Sequence, residues 1–281
     1  MIDLTLVERE HVLEKLLVAA AAAAEVVMRV YAETDYGVEL KGPNDPVTRA
    51  DKEANALLLE LLAKDFPGIP LVAEESDPST FAGFGASPYA IFVDPVDGTR
   101  EFIAKNGEFA VMLGFAEGGK ATVGVIDAPA LDEVYGGAVG IGAFRTTSKK
   151  PERERIHVAT TTDLANARCA VSRFSRSKSV DAKLQALRAK ELVPTGGAGI
   201  KGVRIASGLL DIYAHPSKGL VKLWDACAPE AVVVAAGGLF TDGRGRAFDY
   251  RGEVAQLEGM LAANPALHAE ALRRFATVRN A

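Results

Sequence analysis

The order of local patterns along the chain constrains its fold more than any single residue does. Two long helical patterns come first, over residues 6–32 and 49–64. Five short β-rich runs follow with no helical spacer between them, at residues 69–73, 89–93, 110–116, 121–126 and 133–139. In the first helix apolar residues recur at three- and four-residue steps (Leu13, Leu16, Leu17, Ala20, Val27, Val30), and an alanine run adds helix propensity. The second helix has Thr48 and Asp51 at its start, a capping-box-like first turn in which Asp replaces the usual Glu, and must end before Pro67-Gly68. Helices followed by consecutive strands predict an α+β arrangement, a mostly antiparallel sheet with helices on one side.

Past a polar, basic stretch at residues 146–155 the character changes to alternation. Strands are expected at 156–159, 169–171, 211–214 and near Leu239, and helices over 181–191 and 199–209, after Asp225 and after Asn264-Pro265. This α/β pattern predicts two halves, 1–145 and 146–281, packed as layers. With 48% hydrophobic and 25% charged residues the chain is an ordinary globular sequence, which excludes disorder, collagen and disulfide scaffolds. A net charge of −5 argues against nucleic acid as a partner, because phosphate-backbone binders carry a basic excess. Cys169 and Cys227 lie far apart without CxxC spacing and read as reduced core residues. The apolar run at 16–24 is too short for a signal segment or a membrane span. A cytoplasmic protein without a membrane partner is expected.

The chemistry concentrates where one strand stops. Ile91-Phe92-Val93 runs into Asp94-Pro95-Val96-Asp97-Gly98-Thr99, two aspartates three positions apart ahead of a candidate helix start. Carboxylates at a strand end share a small volume, and such hard oxygen donors suit Mg²⁺ far better than zinc. The Val96 carbonyl between them is a further candidate oxygen ligand. A helix beginning at Gly98-Thr99 would aim free N–H groups the same way, placing an anion site beside the cation site. A plain turn explains the same residues, since Asp-Pro and Asp-Gly are common turn dipeptides. Glu74-Glu75 at another strand end and Asp225 after Leu223-Trp224 add further carboxylates beside apolar residues. Singly, each keeps a structural alternative: Asp225 as an N-cap, Glu74 and Glu75 as solvated loop residues, Asp51 as part of a capped first turn. His11, His157, His215 and His268 are scattered without metal-ligand spacing.

Four blocks taken together resemble a known set: Asp45-Pro46-Val47-Thr48-Arg49-Ala50-Asp51, Ala73-Glu74-Glu75-Ser76, Asp94-Pro95-Val96-Asp97-Gly98-Thr99, and Trp224-Asp225-Ala226-Cys227-Ala228-Pro229-Glu230-Ala231 followed by Gly237-Gly238. In content and order they resemble the inositol monophosphatase superfamily of Mg²⁺-dependent, lithium-sensitive phosphatases. The resemblance implies a layered αβαβα sandwich with the metal site between the halves. It implies two or three Mg²⁺ ions: Glu74 on the first and third, Asp94 bridging the first two, the Val96 carbonyl completing the first, Asp97 and Asp225 on the second. It implies that Thr99 with Asp51 orients and helps deprotonate the attacking water, with Glu74 beside them. The Gly98 and Thr99 N–H groups would take a phosphate oxygen, with Asp97 and Asp225 also facing the substrate. A homodimer is an expectation from the superfamily.

Residues 94–109, DPVDGTREFIAKNGEF, resemble the 3′(2′),5′-bisphosphate nucleotidase branch, with Arg100 where Lys is usual and Glu101 where inositol phosphatases usually place Asn. The Val171-Ser172-Arg173 strand end and the basic residues after it are similar to that branch too. A second phosphate needs cations away from the metals, and Arg173, Arg176, Lys178, Lys201, Lys218 and Lys222 are available, with Arg173 and Lys201 the expected contacts. Each singly also fits a solvated face. The expected small phosphorylated substrate is therefore adenosine 3′,5′-bisphosphate, hydrolysed at its 3′-phosphate. An inositol phosphate or other sugar phosphate is the alternative substrate, and a binding role with incidental catalysis is the alternative of another class.

Overall fold

Helix α1 (Leu6–Tyr31) starts under a capping box in which the Thr5 hydroxyl accepts the Glu8 N–H and the Glu8 carboxylate accepts the Thr5 N–H. The computed structural model describes residues 4–43, 45–174, 177–216, 221–256 and 258–278. A hairpin of β1 (Glu39–Gly42) and β2 (Asp45–Val47), which no sequence pattern signals, leads into α2 (Arg49–Asp65). The first turn of α2 is the predicted one: the Asp51 carboxylate accepts the Thr48 N–H at 2.8 Å and its O–H at 2.6 Å.

The predicted run of strands forms one sheet. In chain order β3 (Leu71–Ala73), β4 (Tyr89–Asp97), β5 (Ala110–Glu117), β6 (Lys120–Ala128), β7 (Glu133–Ala138), β8 (Gly142–Thr147) and β9 (Lys150–Ile156) each pair with the next, and the short helix α3 (Thr99–Ile103) links β4 to β5. Only the β3–β4 pair is parallel. The basic stretch at 146–155 proves to be part of the β8–β9 hairpin and no seam, so this sheet runs past the boundary expected at residue 145. Strand β9 ends at Ile156, where the pattern predicts a strand over 156–159. Its charged side chains are exposed along the edge, and such charges keep an edge from pairing with other chains.

The remainder comprises β10 (Arg168–Ser172), α4 (Lys178–Leu187), β11 (Glu191–Thr195), α5 (Ala198–Ala206), β12 (Ile212–His215), β13 (Val221–Lys222), α6 (Leu223–Ala235), β14 (Leu239–Thr241), β15 (Ala255–Gln256), β16 (Met260–Ala263) and α7 (Pro265–Thr277). Five of these strands form a sheet in the order β11-β10-β12-β16-β14, parallel around β10 and antiparallel around β16. Strands β11 and β16 escape the sequence pattern for physical reasons. Pro194 breaks the apolar run of β11, which its edge position tolerates, and Met260-Leu261-Ala262-Ala263 consists of good helix formers. Helix α6 begins at Leu223, which puts Asp225 inside its first turn instead of at the cap.

Side chains alternate across each sheet and define three cores. Ile91, Val93, Val111 and Val123 pack under α1 and α2. Phe92, Met112 and Ile126 on the other face meet α5 and α6, which in turn cover Ala170, Tyr213 and Ala262 of the second sheet. Cys169, Ile212 and Leu261 face α4 and α7. The layers therefore run α1/α2, seven strands, α5/α6, five strands, α4/α7, the αβαβα sandwich. Both cysteines are buried and neither joins a disulfide. No helix among the described residues is long and apolar enough to cross a membrane.

Candidate active site

The pairing of β4 decides where its two aspartates point. Asp94 lies opposite Met112 and Asp97 opposite Ala110, so three steps on β4 match two on β5. In a regular strand, side chains three apart point to opposite faces. The extra residue is a bulge in the Pro95-Val96 stretch, where Pro95 has no N–H for the ladder, and Asp94 and Asp97 come to line the same cavity. Gly98 then leaves the strand at a φ of +90°, with the Glu108 carbonyl oxygen 3.2 Å from where a Cβ would stand. Helix α3 follows at once.

That cavity, of about 910 Å³, gathers Glu74 from the end of β3, Asp94, Val96 and Asp97 from β4, Thr99 from α3 and Asp225 from α6. Asp51 supports it from α2: its Oδ1 accepts the Thr99 hydroxyl at 3.1 Å while its Oδ2 is taken by Thr48. The Thr99 hydroxyl also lies 3.3 Å from the Val96 carbonyl oxygen. Asp97 reaches into the second half of the chain, where Oδ1 accepts the Ala198 N–H at 2.8 Å and Oδ2 the Gly199 N–H at 2.7 Å. These are orphan donors of the first turn of α5, whose own N-cap, Gly197, has no side chain to offer. Glycine is needed there, because a Cβ would fall 2.1 Å from Asp97 Oδ2. Asp225 accepts the Lys222 N–H at 2.7 Å. Lys41 of β1 donates to Glu74 at 2.9 Å and to Glu75 at 2.6 Å.

Carboxylates crowded out of water raise one another's pKa. Burial holds Asp94 well above the usual range, reinforced by Glu74, Asp97, Asp225 and Asp51. Asp225 is raised likewise, by burial and then by Glu74. Burial also raises Asp51, Glu74 and Asp97, the last against the pull of Lys201 and the two α5 amides. Lys201, buried in the same wall, is lowered by burial against the attraction of Asp97, Glu101, Glu108 and Asp225. Burial lifts Glu101 to about 6 and depresses His215, also on the wall, to about 4.

A donor set made of oxygens whose charges repel one another fits a hard divalent cation. Among the described residues no three acids or histidines stand close enough to cage an ion as placed. Each carboxylate is held by its own partner instead: Glu74 by Lys41, Asp94 by the Val96 amide, Asp97 by α5, Asp225 by the Lys222 amide.

Of the expected substrate contacts, Gly98, Thr99, Asp97, Asp225 and Lys201 line the cavity, and Lys201 donates to the Gly196 carbonyl. Arg173 is not among the lining residues; Glu108 engages its guanidinium, which also donates to the Pro194 carbonyl at 3.2 Å. Lys222 lines the cavity and Lys178 does not, while Arg176 and Lys218 lie outside the described residues. Lys41, Phe174, Tyr213 and Met260 also line it. No motif in the sequence signals these four, because hairpin geometry and the second sheet bring them in.

The model of the inositol monophosphatase family matches residues 8–279. The chain is 32% identical over 241 residues to the 3′(2′),5′-bisphosphate nucleotidase CysQ of Salmonella typhimurium, spanning 85% of this chain and 93% of that protein. It is 30% identical over 280 residues to 3′(2′),5′-bisphosphate nucleotidase 1 of Homo sapiens, spanning 86% and 87%. The solved structure of the extragenic suppressor protein suhB from Bartonella henselae superimposes with a TM-score of 0.81 at 25% identity, covering 95% of this chain and 99% of that one. Four sequence blocks meeting on one cavity, a sandwich shared with suhB and a family match over nearly the whole chain lead to one conclusion: this protein belongs to the inositol monophosphatase family and is a phosphatase.

Proposed function

We propose that the protein is a Mg²⁺-dependent phosphomonoesterase that removes the 3′-phosphate of adenosine 3′,5′-bisphosphate by attack of water. The observation that supports this most is the convergence of Glu74, Asp94, Asp97 and Asp225 on one cavity that Lys201 also lines. Similarity to two bisphosphate nucleotidases at 30% identity or more points to the nucleotide among phosphate esters.

Glu74, Asp94, the Val96 carbonyl, Asp97 and Asp225 would hold Mg²⁺, which when bound supplies water activation and charge neutralisation at the leaving oxygen. The chain's own groups do the rest. Asp51 accepts the Thr99 hydroxyl hydrogen, which leaves the lone pairs of the Thr99 oxygen to accept from the attacking water. The proton can then pass through Thr99 to Asp51, whose buried carboxyl binds it more tightly than a solvated one would. The Gly98 and Thr99 N–H groups take a phosphate oxygen. Lys201 supplies positive charge for the second phosphate, and Phe174, Tyr213 and Met260 offer apolar surface for the base.

Phosphate release from adenosine 3′,5′-bisphosphate and inositol 1-phosphate, compared side by side in Mg²⁺, tests the reading. A kcat/KM at least ~10-fold higher for the nucleotide is expected, since the site then satisfies a second phosphate that the sugar lacks. The reverse preference would assign the site to sugar phosphates, and inactivity on both would defeat the proposal. Lys41 competes with a cation for Glu74, so Lys41→Ala should lower the Mg²⁺ concentration for half-maximal activity by ~3- to 5-fold, the equivalent of one ion pair of up to about 1 kcal/mol. A raised requirement would show that Lys41 helps to hold the ion's ligands.

A further inference from the structure

A second cavity, of about 310 Å³, lies between α1 and the β6–β8 part of the first sheet and shares no lining residue with the carboxylate cavity. The alanine run of α1 makes the space. Ala21, Ala24 and Met28 follow one another at helical spacing on a single face of α1, and two of the three are too small to fill the gap over the sheet. Val134 of β7 continues the apolar wall.

Asp127 of β6 also lines this cavity. It is 5% exposed, and among the described residues it has neither a hydrogen-bond donor nor a cationic partner for its carboxylate. A carboxylate so nearly enclosed has lost most of its hydration without gaining a partner, which is costly. Burial alone lifts its pKa to about 7. Four carboxylates line the cavity, and no lysine, arginine or histidine does. Two are already satisfied. Asp132 accepts the Ser148 N–H at 2.9 Å and its O–H at 2.7 Å, and Glu133 pairs with Arg204 at 2.8 Å and Arg145 at 3.5 Å. Asp127 and the exposed Glu25 of α1 carry the remaining charge. Two free carboxylates against an apolar wall are a poor match for Mg²⁺, which wants an octahedron of oxygens. They match a cation with a carbon stem.

We propose that this cavity binds a small aliphatic diamine, with one ammonium on Asp127, the carbon chain along Ala21, Ala24, Met28 and Val134, and the other ammonium at Glu25 on the rim. The site is separate from the phosphatase centre and stands whether or not the proposed substrate is correct.

Calorimetric titration of the full chain with 1,4-diaminobutane tests it, with Mg²⁺ present to occupy the carboxylate-rich cavity. Saturable binding is expected, with butylamine weaker. Binding should tighten as pH rises through the Asp127 midpoint at about 7, where the other facing charges are Glu25, Asp132 and Glu133 with Arg145 and Arg204. Asp127→Asn should weaken it by at least ~10-fold, the loss of a hydrogen bond to a charged group. Glu25→Gln should bring the diamine down to the level of butylamine. Ala21→Phe, at an exposed rim position that costs no core packing, should block the cavity with Asp127 intact, which keeps the test decisive if Asp127→Asn folds poorly. No saturable binding, binding unchanged in Asp127→Asn and Ala21→Phe, or displacement of the diamine by rising Mg²⁺ would each overturn the proposal.

Discussion

Asp94→Asn is expected to lose at least ~10³-fold in kcat/KM, and in EDTA to melt at a higher temperature than the parent protein. The two effects have one cause. Asp94 is 2% exposed, and burial together with four neighbouring carboxylates holds its carboxyl well above the usual range. A carboxyl raised in the folded state contributes stability that is present below its unfolded value of 3.8 and is lost as pH rises through the folded value. At neutral pH without metal the parent therefore carries a cost that the neutral amide avoids, on the order of 1 to 3 kcal/mol, or ~2 to 4 °C in Tm per kcal/mol at this chain length. The gap should narrow as the pH falls toward 4. Added Mg²⁺ should reverse the order: saturation at 100 times Kd would stabilise the parent by ~2.7 kcal/mol, and the variant lacks one of the carboxylates proposed to hold the ion. Thermal melts in EDTA and in Mg²⁺, beside steady-state kinetics, check each part. A variant that melts lower in EDTA and keeps its activity would remove Asp94 from the metal site.

Asp97→Asn should cost as much activity but carry the opposite sign in stability. Both Asp97 oxygens accept N–H donors at the start of α5, and an amide can accept only one of them. The other N–H is left buried, facing an NH₂ group, and Lys201 loses the carboxylate that attracts it most strongly. A fall of ~1 to 3 kcal/mol in stability is expected with or without Mg²⁺. Two carboxylates three residues apart would then respond oppositely to the same substitution in EDTA. Equal responses would show that the capping of α5 by Asp97 has no energetic consequence. Asp97→Asn also separates an enzymatic role from a binding role: loss of phosphatase activity with an intact cellular phenotype would favour the latter.

The local parts of this protein were legible in the residues. The α2 capping box is complete within Thr48 to Asp51, the helix stripe of α1 repeats within single turns, and β4 and β5 show as short continuous apolar runs because both of their faces are buried. The carboxylates that meet on the cavity were legible as well, because carboxylate chemistry belongs to the residue type. What failed was non-local. The stretch at 146–155 looks like a seam until β8 pairs with β9, and β16 looks like nothing until it pairs with β12 and β14. Arg173 reads as a free cation until Glu108 and the Pro194 carbonyl close on it.

By itself the sequence determined which atoms are available to bind a metal and a phosphate, and in which elements they ride, since both follow from neighbours a few residues apart. Only the tertiary structure decided where those atoms point and what holds them. The register of β4 on β5 turns Asp94 and Asp97 to one side, Lys41 comes from a hairpin to meet Glu74, and Asp97 caps a helix whose first amide lies 101 residues further on. Hydrogen bonds and Coulomb forces act across space without regard to chain separation, so these partners exist only once the layers have closed.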